Sequence, residues 1–145
     1  MNELLRSQFR EFDKLYKEEN DIYHEVAVRL GLSDSAFSIL YTLCSLGNGC
    51  TQKDICLSTF LTKQTVNSSI QKLVAQDYLY MEKGRGRDKH IFLTDKGDAL
   101  LSQKIRPVME LELRAFSTLG ENAATLVQLS RRYLAALRAE MQSLK

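Results

Sequence analysis

The sequence predicts a mostly α-helical protein with one small β-ribbon, and three observations support this fold class. Long segments at both chain ends repeat apolar residues at steps of three and four, which is the spacing of one helix face. The central stretch from Thr51 to Gly97 reads as a short helix, a second helix and two β-type runs. A basic tip containing two glycines joins these runs. Helix, helix and ribbon in this order predict a winged helix-turn-helix, with a wing of two or three strands.

Composition and charge favour a single domain of 145 residues, with 44% apolar and 26% charged residues. The net charge of +2 does not by itself indicate a nucleic-acid partner. Its distribution is more informative. Residues 51–96 carry eight bases against five acids, whereas residues 1–32 carry five bases against seven acids. The positive charge therefore gathers on the predicted helix-turn-helix unit.

Residues 3–30 are predicted to form one long amphipathic helix, which Gly31 ends. This helix is longer than a small DNA-binding domain requires, and two interpretations remain open. It packs on its own domain, or it forms a subunit interface. The apolar stripe consists of Leu5, Phe9, Phe12, Tyr16, Tyr23, Val26 and Leu30.

The next two helices have clear start signals. Ser33 is a good N-cap for a helix from Asp34 to about Leu46, and the Gly47–Gly49 segment stops that helix. Thr51 and Asp54 have the spacing of a capping box, which predicts a short helix after Thr51. The first of these helices is expected to be buried, because Phe37, Leu40, Tyr41 and Cys44 share one face.

The helix from Leu61 to Val74 is the predicted recognition helix. A helical wheel places Val66, Ser69, Ile70 and Leu73 on the packed face, with Thr62 beside them. The opposite face is rich in amides and hydroxyls and has few carboxylates. Such side chains suit base edges and phosphates better than plain solvent, which is the alternative interpretation. The predicted DNA contacts on this helix are Thr62, Lys63, Gln64, Thr65, Asn67, Ser68, Gln71 and Lys72.

The wing is predicted from two β-type runs, Tyr78–Met81 and His90–Leu93, and from the connection between them. Glycines let this connection approach a phosphate chain closely, and arginine is attracted to narrow A·T minor grooves. An ordinary hairpin tip is the alternative interpretation. The predicted wing contacts are Arg85, Arg87 and Lys89.

Thr94 is the predicted N-cap of the first C-terminal helix, which Pro107 should kink or restart. That helix continues from Val108 to Phe116, and a last amphipathic helix runs from Asn122 to Leu144. We therefore predict one domain over residues 1–145. Residues 33–97 form the winged helix-turn-helix lobe, and residues 1–30 and 98–145 form dimerisation helices.

On these residues the chain resembles the MarR family (multiple-antibiotic-resistance regulators). Leu61–Val66 is similar to the opening of that family's recognition helix, and Leu73 to the buried leucine before its wing. Leu93–Gly97 resembles its Leu-Thr-x-x-Gly ending. The family's wing commonly shows Asp-x-Arg, and alignment from Leu93 places Arg87 on the arginine but Arg85 on the aspartate. Arg87 is therefore the preferred wing contact, without the usual aspartate partner.

The chain also departs from the family before the wing. The family often has glycine and arginine around the start of the first wing strand, where this chain has Asp77-Tyr78 and Met81-Glu82.

The resemblance implies a homodimer that binds a palindromic double-stranded DNA operator and usually represses nearby genes. In this family a small ligand or an oxidant commonly changes the spacing of the two DNA-binding heads. The implied effector is a small aromatic or amphipathic molecule bound between the DNA-binding lobe and the dimer helices. The candidate pocket residues are Phe12, Tyr16, Phe37, Tyr41 and Cys44, for which core packing is the alternative interpretation.

Other chemistry is poorly supported by the sequence. Cys44, Cys50 and Cys56 form no Cys-x-x-Cys pair, and the chain has only two histidines, so we expect neither metal nor cofactor. A redox role for one of these thiols stays open. Catalytic motifs are absent from the sequence, so no enzyme is predicted.

The first residues lack a signal-peptide pattern, and no apolar run is long enough for a membrane span, so we expect a cytoplasmic protein. The rival function is a winged-helix module that binds another protein without specific DNA binding.

Overall fold

The computed structural model describes residues 2–84 and 86–144, and the chain divides into two compact units, residues 1–106 and residues 107–145. Both units are mostly helical, in agreement with the predicted fold class. The helices are α1 (Glu3–Leu30), α2 (Asp34–Leu46), α3 (Gln52–Ser58), α4 (Lys63–Ala75), α5 (Asp95–Leu100), α6 (Arg106–Ser117) and α7 (Asn122–Met141). The strands are β1 (Cys50–Thr51), β2 (Leu79–Lys83) and β3 (Lys89–Leu93), and a π-helical turn (Leu101–Ile105) joins α5 to α6.

The ribbon is a three-stranded antiparallel sheet in the order β1-β3-β2. Leu79 pairs with Leu93 at the base of the β2–β3 hairpin, and Lys83 pairs with Lys89 at its tip. The strands therefore extend to Lys83 and Lys89, beyond the predicted runs, which ended at Met81 and began at His90. Strand β1 joins the sheet by pairing with β3, with Cys50 opposite Ile91. Two residues are too short for a periodic signal, so the sequence predicted only the start of α3 at this point.

The predicted helix caps are confirmed. The Ser33 hydroxyl accepts a hydrogen bond from the Ala36 amide at 3.1 Å. Thr51 and Asp54 form the complete capping box, because the Thr51 amide donates to the Asp54 carboxylate at 2.8 Å and the Asp54 amide donates back to the Thr51 hydroxyl at 3.1 Å. Gly31 ends α1 in the left-handed conformation, with φ of 70°.

The core of the first unit lies between α2, α3, α4 and the inner face of the sheet. Helix α2 is its centre, since Ile39, Leu40 and Leu43 are essentially inaccessible to solvent. Each neighbouring element contributes a buried branched side chain, which close packing favours. Only the inner face of α4 packs against this core. The outer face of α4 is exposed to solvent. The other fully buried side chains of this core are Ile55, Val66, Ile70, Leu79, Ile91, Leu101 and Ile105.

The turn between α4 and β2 is fixed to the start of α5. Thr94 Oγ1 donates to the Asp77 carbonyl at 2.6 Å, and the Thr94 amide donates to the Tyr78 carbonyl at 3.1 Å. Gly97 packs against the same backbone, because a Cβ there would overlap the Tyr78 carbonyl oxygen. The Leu-Thr-x-x-Gly segment therefore locks the hairpin onto the core. Asp77 itself has a positive φ of 65°, where L side chains are uncommon.

We predict that Asp77→Gly leaves the free energy of unfolding almost unchanged, whereas Asp77→Val lowers it by about 2 kcal/mol. Glycine adopts the left-handed backbone without strain, but a β-branched side chain does not. Urea unfolding of the two variants and the native protein measures the difference. Equal stability of both variants would show that the turn relaxes to another conformation.

Pro107 is preceded by a local change of helix type. The Arg106 amide bonds to the Leu101 carbonyl, which is the i to i+5 pattern of a π-helix. Proline has no amide to continue the α-helical ladder, so the backbone accommodates it by this irregular turn. Lys104 in the turn donates to the Leu30 carbonyl at 2.6 Å and satisfies the end of α1.

Large apolar side chains are exposed within each unit. In α1 only Ala27 is buried among the described residues, and Leu5 and Phe9 are about half exposed, at 55% and 51%. In the second unit, α7 contains no buried residue among those the structure describes. Helix α7 ends at Met141, three residues before the predicted Leu144.

Within residues 2–84 and 86–144, no single helix is long and apolar enough to cross a membrane. Only the bent pair of α1 and α2, at 93°, meets that criterion jointly, by length and composition.

Candidate nucleic-acid interface

Helix α4 is amphipathic in the way the helical wheel predicted. Thr62 caps it by accepting a hydrogen bond from the Thr65 amide at 3.2 Å. Its inner face is buried at Val66, Ser69, Ile70 and Leu73. The Ser69 hydroxyl is paired at 2.6 Å with Ser35 at the start of α2, which also fixes the rotation of α4 about its axis.

The outer face of α4 is exposed at the predicted contact residues. One part of the wheel was wrong: Thr62 does not lie beside the packed residues, because as N-cap it sits before the helix and is exposed. Its hydroxyl also donates to Thr65 Oγ1 at 3.0 Å, so both hydroxyls belong to the cap. The side chains free to meet a partner are Lys63, Gln64, Asn67, Ser68, Gln71 and Lys72, all exposed.

The wing tip is built on a tight contact between His90 and Gly84. The His90 ring donates from Nδ1 to the Gly49 carbonyl at 2.6 Å, which ties β3 to the loop before β1. The ring lies so close to Gly84 that a Cβ at that position would overlap it. The Gly84 amide also bonds to the Asp88 carbonyl at 3.1 Å. These contacts position Arg87 and Lys89, while the predicted contact Arg85 lies outside the described residues.

The wing and the two helices of the helix-turn-helix line one open cleft of about 870 Å³. Predicted residues from two elements meet there, namely Lys63, Gln64 and Asn67 of α4 and Arg87 and Lys89 of the wing. Thr65, Ser68, Gln71 and Lys72 lie on α4 but do not line the cleft. Sequence reasoning missed five lining residues, which are Thr51, Gln52, Lys53, Cys56 and Asp88.

Two of the missed residues carried a usable signal. Gln52 and Lys53 directly follow the N-cap residue Thr51, so they occupy the first turn of α3, and Lys53 is exposed. A first turn bearing a cation, close to the free amides of a helix start, suits a phosphate. Cys56 and Asp88 line the cleft only because of tertiary packing, which no local sequence pattern predicts.

The cleft is electropositive. Its lining includes four cations, Lys53, Lys63, Arg87 and Lys89, against the single carboxylate Asp88. The nearby Asp54 carboxylate is held in its capping box, where the backbone and side-chain hydrogen bonds with Thr51 lower its pKa. This surface is therefore suited to an anionic partner.

The predicted ligand pocket is only partly assembled around α2. Phe37 is buried and its ring lies 5.9 Å from that of Tyr41 and 6.3 Å from that of Tyr23. Cys44 follows on the same helix and is half-buried. Phe12 and Tyr16, on α1, are 49% and 57% exposed. A ligand role for these residues stays a prediction.

Thiol and metal chemistry are not prominent. Cys44, Cys50 and Cys56 are free and half-buried. Burial, and then the charge of Asp54, raise the pKa of the Cys50 thiol, which disfavours the reactive thiolate. In the part of the chain that the structure describes, no three His, Cys, Asp or Glu side chains are grouped to hold a metal ion.

Comparison with known proteins places this geometry in a family. Residues 30–88, which include α2, α3, α4 and β2, match the model of the MarR family. None of the curated protein sequences matches the chain.

Solved structures of MarR family regulators share the fold over nearly the whole chain. A regulator from Neisseria meningitidis superposes with a TM-score of 0.78 at 24% identity, covering 99% of this chain and 98% of its own. MepR from Staphylococcus aureus, solved as a DNA complex, gives 0.66 at 22% identity, covering 88% and 96%.

BpsR from Bordetella bronchiseptica, whose DNA binding is regulated by 6-hydroxynicotinic acid, gives a TM-score of 0.65 at 18% identity, covering 86% and 98%. Residues 30–88 therefore match the MarR family model, and the chain as a whole has the winged-helix fold of that family's solved regulators.

Proposed function

We propose that the protein is a cytoplasmic, sequence-specific DNA-binding transcriptional regulator that binds a palindromic operator as a homodimer. In this proposal it represses nearby genes until a small effector releases the DNA. One observation carries the DNA-binding part. The cleft joins the amide-bearing outer face of α4 to the cations of the wing, with Lys53 and Lys63 at the starts of α3 and α4.

The dimensions and charge of this surface suit duplex DNA. Helix α4 has 13 residues and is held only by its inner face, so it can enter a major groove without disturbing the core. The cations at the helix starts suit the phosphates at the edges of that groove. Arg87 on the wing then lies where an adjacent minor groove or backbone would pass.

The homodimer is supported by the exposed apolar faces of α1 and α7. Leu5, Phe9, Phe12 and Tyr16 follow helical spacing along α1 and are all about half exposed in one chain. Contiguous apolar faces of this kind mark interaction surfaces. A second copy of the chain is the partner proposed here, and a two-fold axis would then present two α4 helices to a palindrome.

The proposed effector site is an aromatic cluster on α1 and α2. The Phe37 ring lies within aromatic-pairing distance of both the Tyr23 and the Tyr41 rings, and such clusters suit a small aromatic ligand. The fold shared with BpsR, which responds to 6-hydroxynicotinic acid, is consistent with an aromatic acid. We expect such a ligand to lower the affinity for the operator.

Binding to the DNA upstream of the protein's own gene tests the proposal. A labelled upstream fragment and a scrambled fragment are titrated at 50 mM and 200 mM salt. We expect selective binding that weakens by about 10³-fold or more between these salt concentrations, since several phosphates are contacted. Equal, weak binding to both fragments at low salt would favour the rival protein-interaction module.

The wing contributes a defined share of this affinity. We predict that Arg87→Ala weakens operator binding by about 1–3 kcal/mol, because the exposed guanidinium lines the cleft and its loss removes one phosphate or minor-groove contact. Fluorescence anisotropy at physiological salt measures the change. Arg29→Ala, which removes an exposed arginine from the last turn of α1, is the matched control and should bind normally. Unchanged affinity of Arg87→Ala would remove the wing from the mechanism.

A further inference from the structure

The helix-turn-helix of this protein contains no arginine. Between Arg29 and Arg85 the sequence has none, so α3, α4 and β2 all lack a guanidinium. Helix α4 also contains no aspartate or glutamate. Arginine is the side chain that most often recognises guanine in the major groove, and carboxylates accept from cytosine. Apart from the two lysines of α4, the side chains that usually recognise a G·C pair are therefore missing from the proposed recognition helix.

The side chains of α4 that can recognise base edges are amides. Gln64, Asn67 and Gln71 are exposed on the outer face of α4, opposite the buried Val66 and Ile70. Among the described residues, none of these three amides is hydrogen-bonded to another part of the protein. The Thr62 and Thr65 hydroxyls, in contrast, are held in the N-cap. Asn and Gln amides match the N6 and N7 edge of adenine bidentately.

The two lysines of α4 lie at its ends. Lys63 is the first residue of the helix, next to the free amides that attract a phosphate, and Lys72 is in the last turn. When a helix lies in the major groove, ammonium groups at its ends are closer to the DNA phosphate backbones that flank the groove than to the base edges. The middle of the outer face is therefore electrically neutral.

From this arrangement we infer that the operator half-site is A·T-rich under α4, with adenines read by Gln64, Asn67 and Gln71. Gln64 and Gln71 lie about 10 Å apart along the helix axis, which corresponds to about three base-pair steps. The inference rests on the proposed function and names the DNA class that this surface selects. Arg87 on the wing favours the same class, since narrow minor grooves of A·T tracts attract arginine.

Selection from a duplex library with a randomised central segment tests this inference. The native homodimer is compared with Gln64→Arg, in which a guanidinium replaces the most outward amide of the first turn. Gln76→Arg is the charge-matched control, because Gln76 is exposed, follows the last residue of α4 as its C-cap and does not line the cleft. Far-ultraviolet circular dichroism checks that each variant remains folded.

We expect the native protein to enrich half-sites with A·T pairs across the segment protected by α4. The variant Gln64→Arg should shift one of these positions to guanine, whereas Gln76→Arg should keep the native preference. In the selected operator, 7-deazaadenine at that position should weaken native binding about 5- to 100-fold, because it removes the N7 acceptor.

Enriched half-sites with fixed G·C pairs under α4 would overturn the inference and leave a sequence-specific regulator in place. An unchanged preference in Gln64→Arg would also overturn the assignment of Gln64 as a base reader. If no sequence is enriched at all, the proposed function fails together with the inference.

Discussion

A variant carrying Leu5→Glu and Phe9→Glu is expected to be monomeric and to bind the operator at least about 100-fold more weakly than the native protein. These side chains are about half exposed in the single chain, so the fold of one protomer does not depend on burying them. In the proposed dimer they are covered by the second copy, where two buried carboxylates are costly. Loss of the dimer removes the second half-site contact and with it the avidity.

Sedimentation velocity at micromolar concentration measures the mass, and anisotropy measures operator affinity. The control is Val28→Glu, which also replaces an exposed apolar residue of α1 but on a different face of the helix. The control should remain dimeric and bind normally. A stable native monomer, or a dimeric double variant with full operator affinity, would contradict the proposed interface.

The variant Gly97→Ala is expected to lose about 3 kcal/mol or more of folding free energy. A Cβ at Gly97 would overlap the Tyr78 carbonyl oxygen, which is backbone, and would also crowd the Leu93 side chain. The Tyr78 carbonyl also accepts a hydrogen bond from the Thr94 amide at 3.1 Å. A shift of this carbonyl would therefore break the hydrogen bond between the start of α5 and the β2–β3 hairpin. Operator affinity should fall in parallel, because the hydrogen bond between Thr94 and Tyr78 helps to position the wing.

Urea unfolding followed by circular dichroism measures the loss. The matched control is Gly120→Ala, since a Cβ at Gly120 meets no atom within 4 Å. It should cost only about 1–2 kcal/mol, which reflects the left-handed backbone at φ of 54°. Equal costs for the two substitutions would show that steric overlap at Gly97 is not what makes glycine necessary there.

Much of the fold was predictable because its signals are local. Cap residues such as Thr51 act within three positions of themselves, and the buried stripe of α4 follows directly from helical periodicity. The resemblance to the MarR family is confirmed by the family match over residues 30–88, which includes Leu61–Val66 and Leu73, whereas Leu93–Gly97 lies beyond that match. Departures from that pattern also have a structural meaning. Asp77 has a positive φ of 65°, a conformation that glycine adopts without strain.

The remainder depends on contacts that no local pattern contains. Strand β1 exists only because Cys50 pairs with Ile91, which is distant in sequence. His90 was predicted only as the first residue of the second β-type run, yet its ring fixes the wing by contacting Gly49 and Gly84. Thr62 was placed beside the packed face because a helical wheel does not show that a cap residue precedes the helix. Lys53 enters the site only when α3 packs against α4.

Hydroxyl-radical footprinting of the native protein on its selected operator tests the central claim most directly. If two α4 helices enter successive major grooves, two protected patches should lie on one face of the duplex. Their centres should be about one helical turn, 10–10.5 base pairs, apart. Protection should extend outward into the flanking minor grooves, where the wings lie, and Arg87→Ala should remove only those outer signals. A single patch, or unchanged outer protection in Arg87→Ala, would contradict this account of how the protein binds DNA.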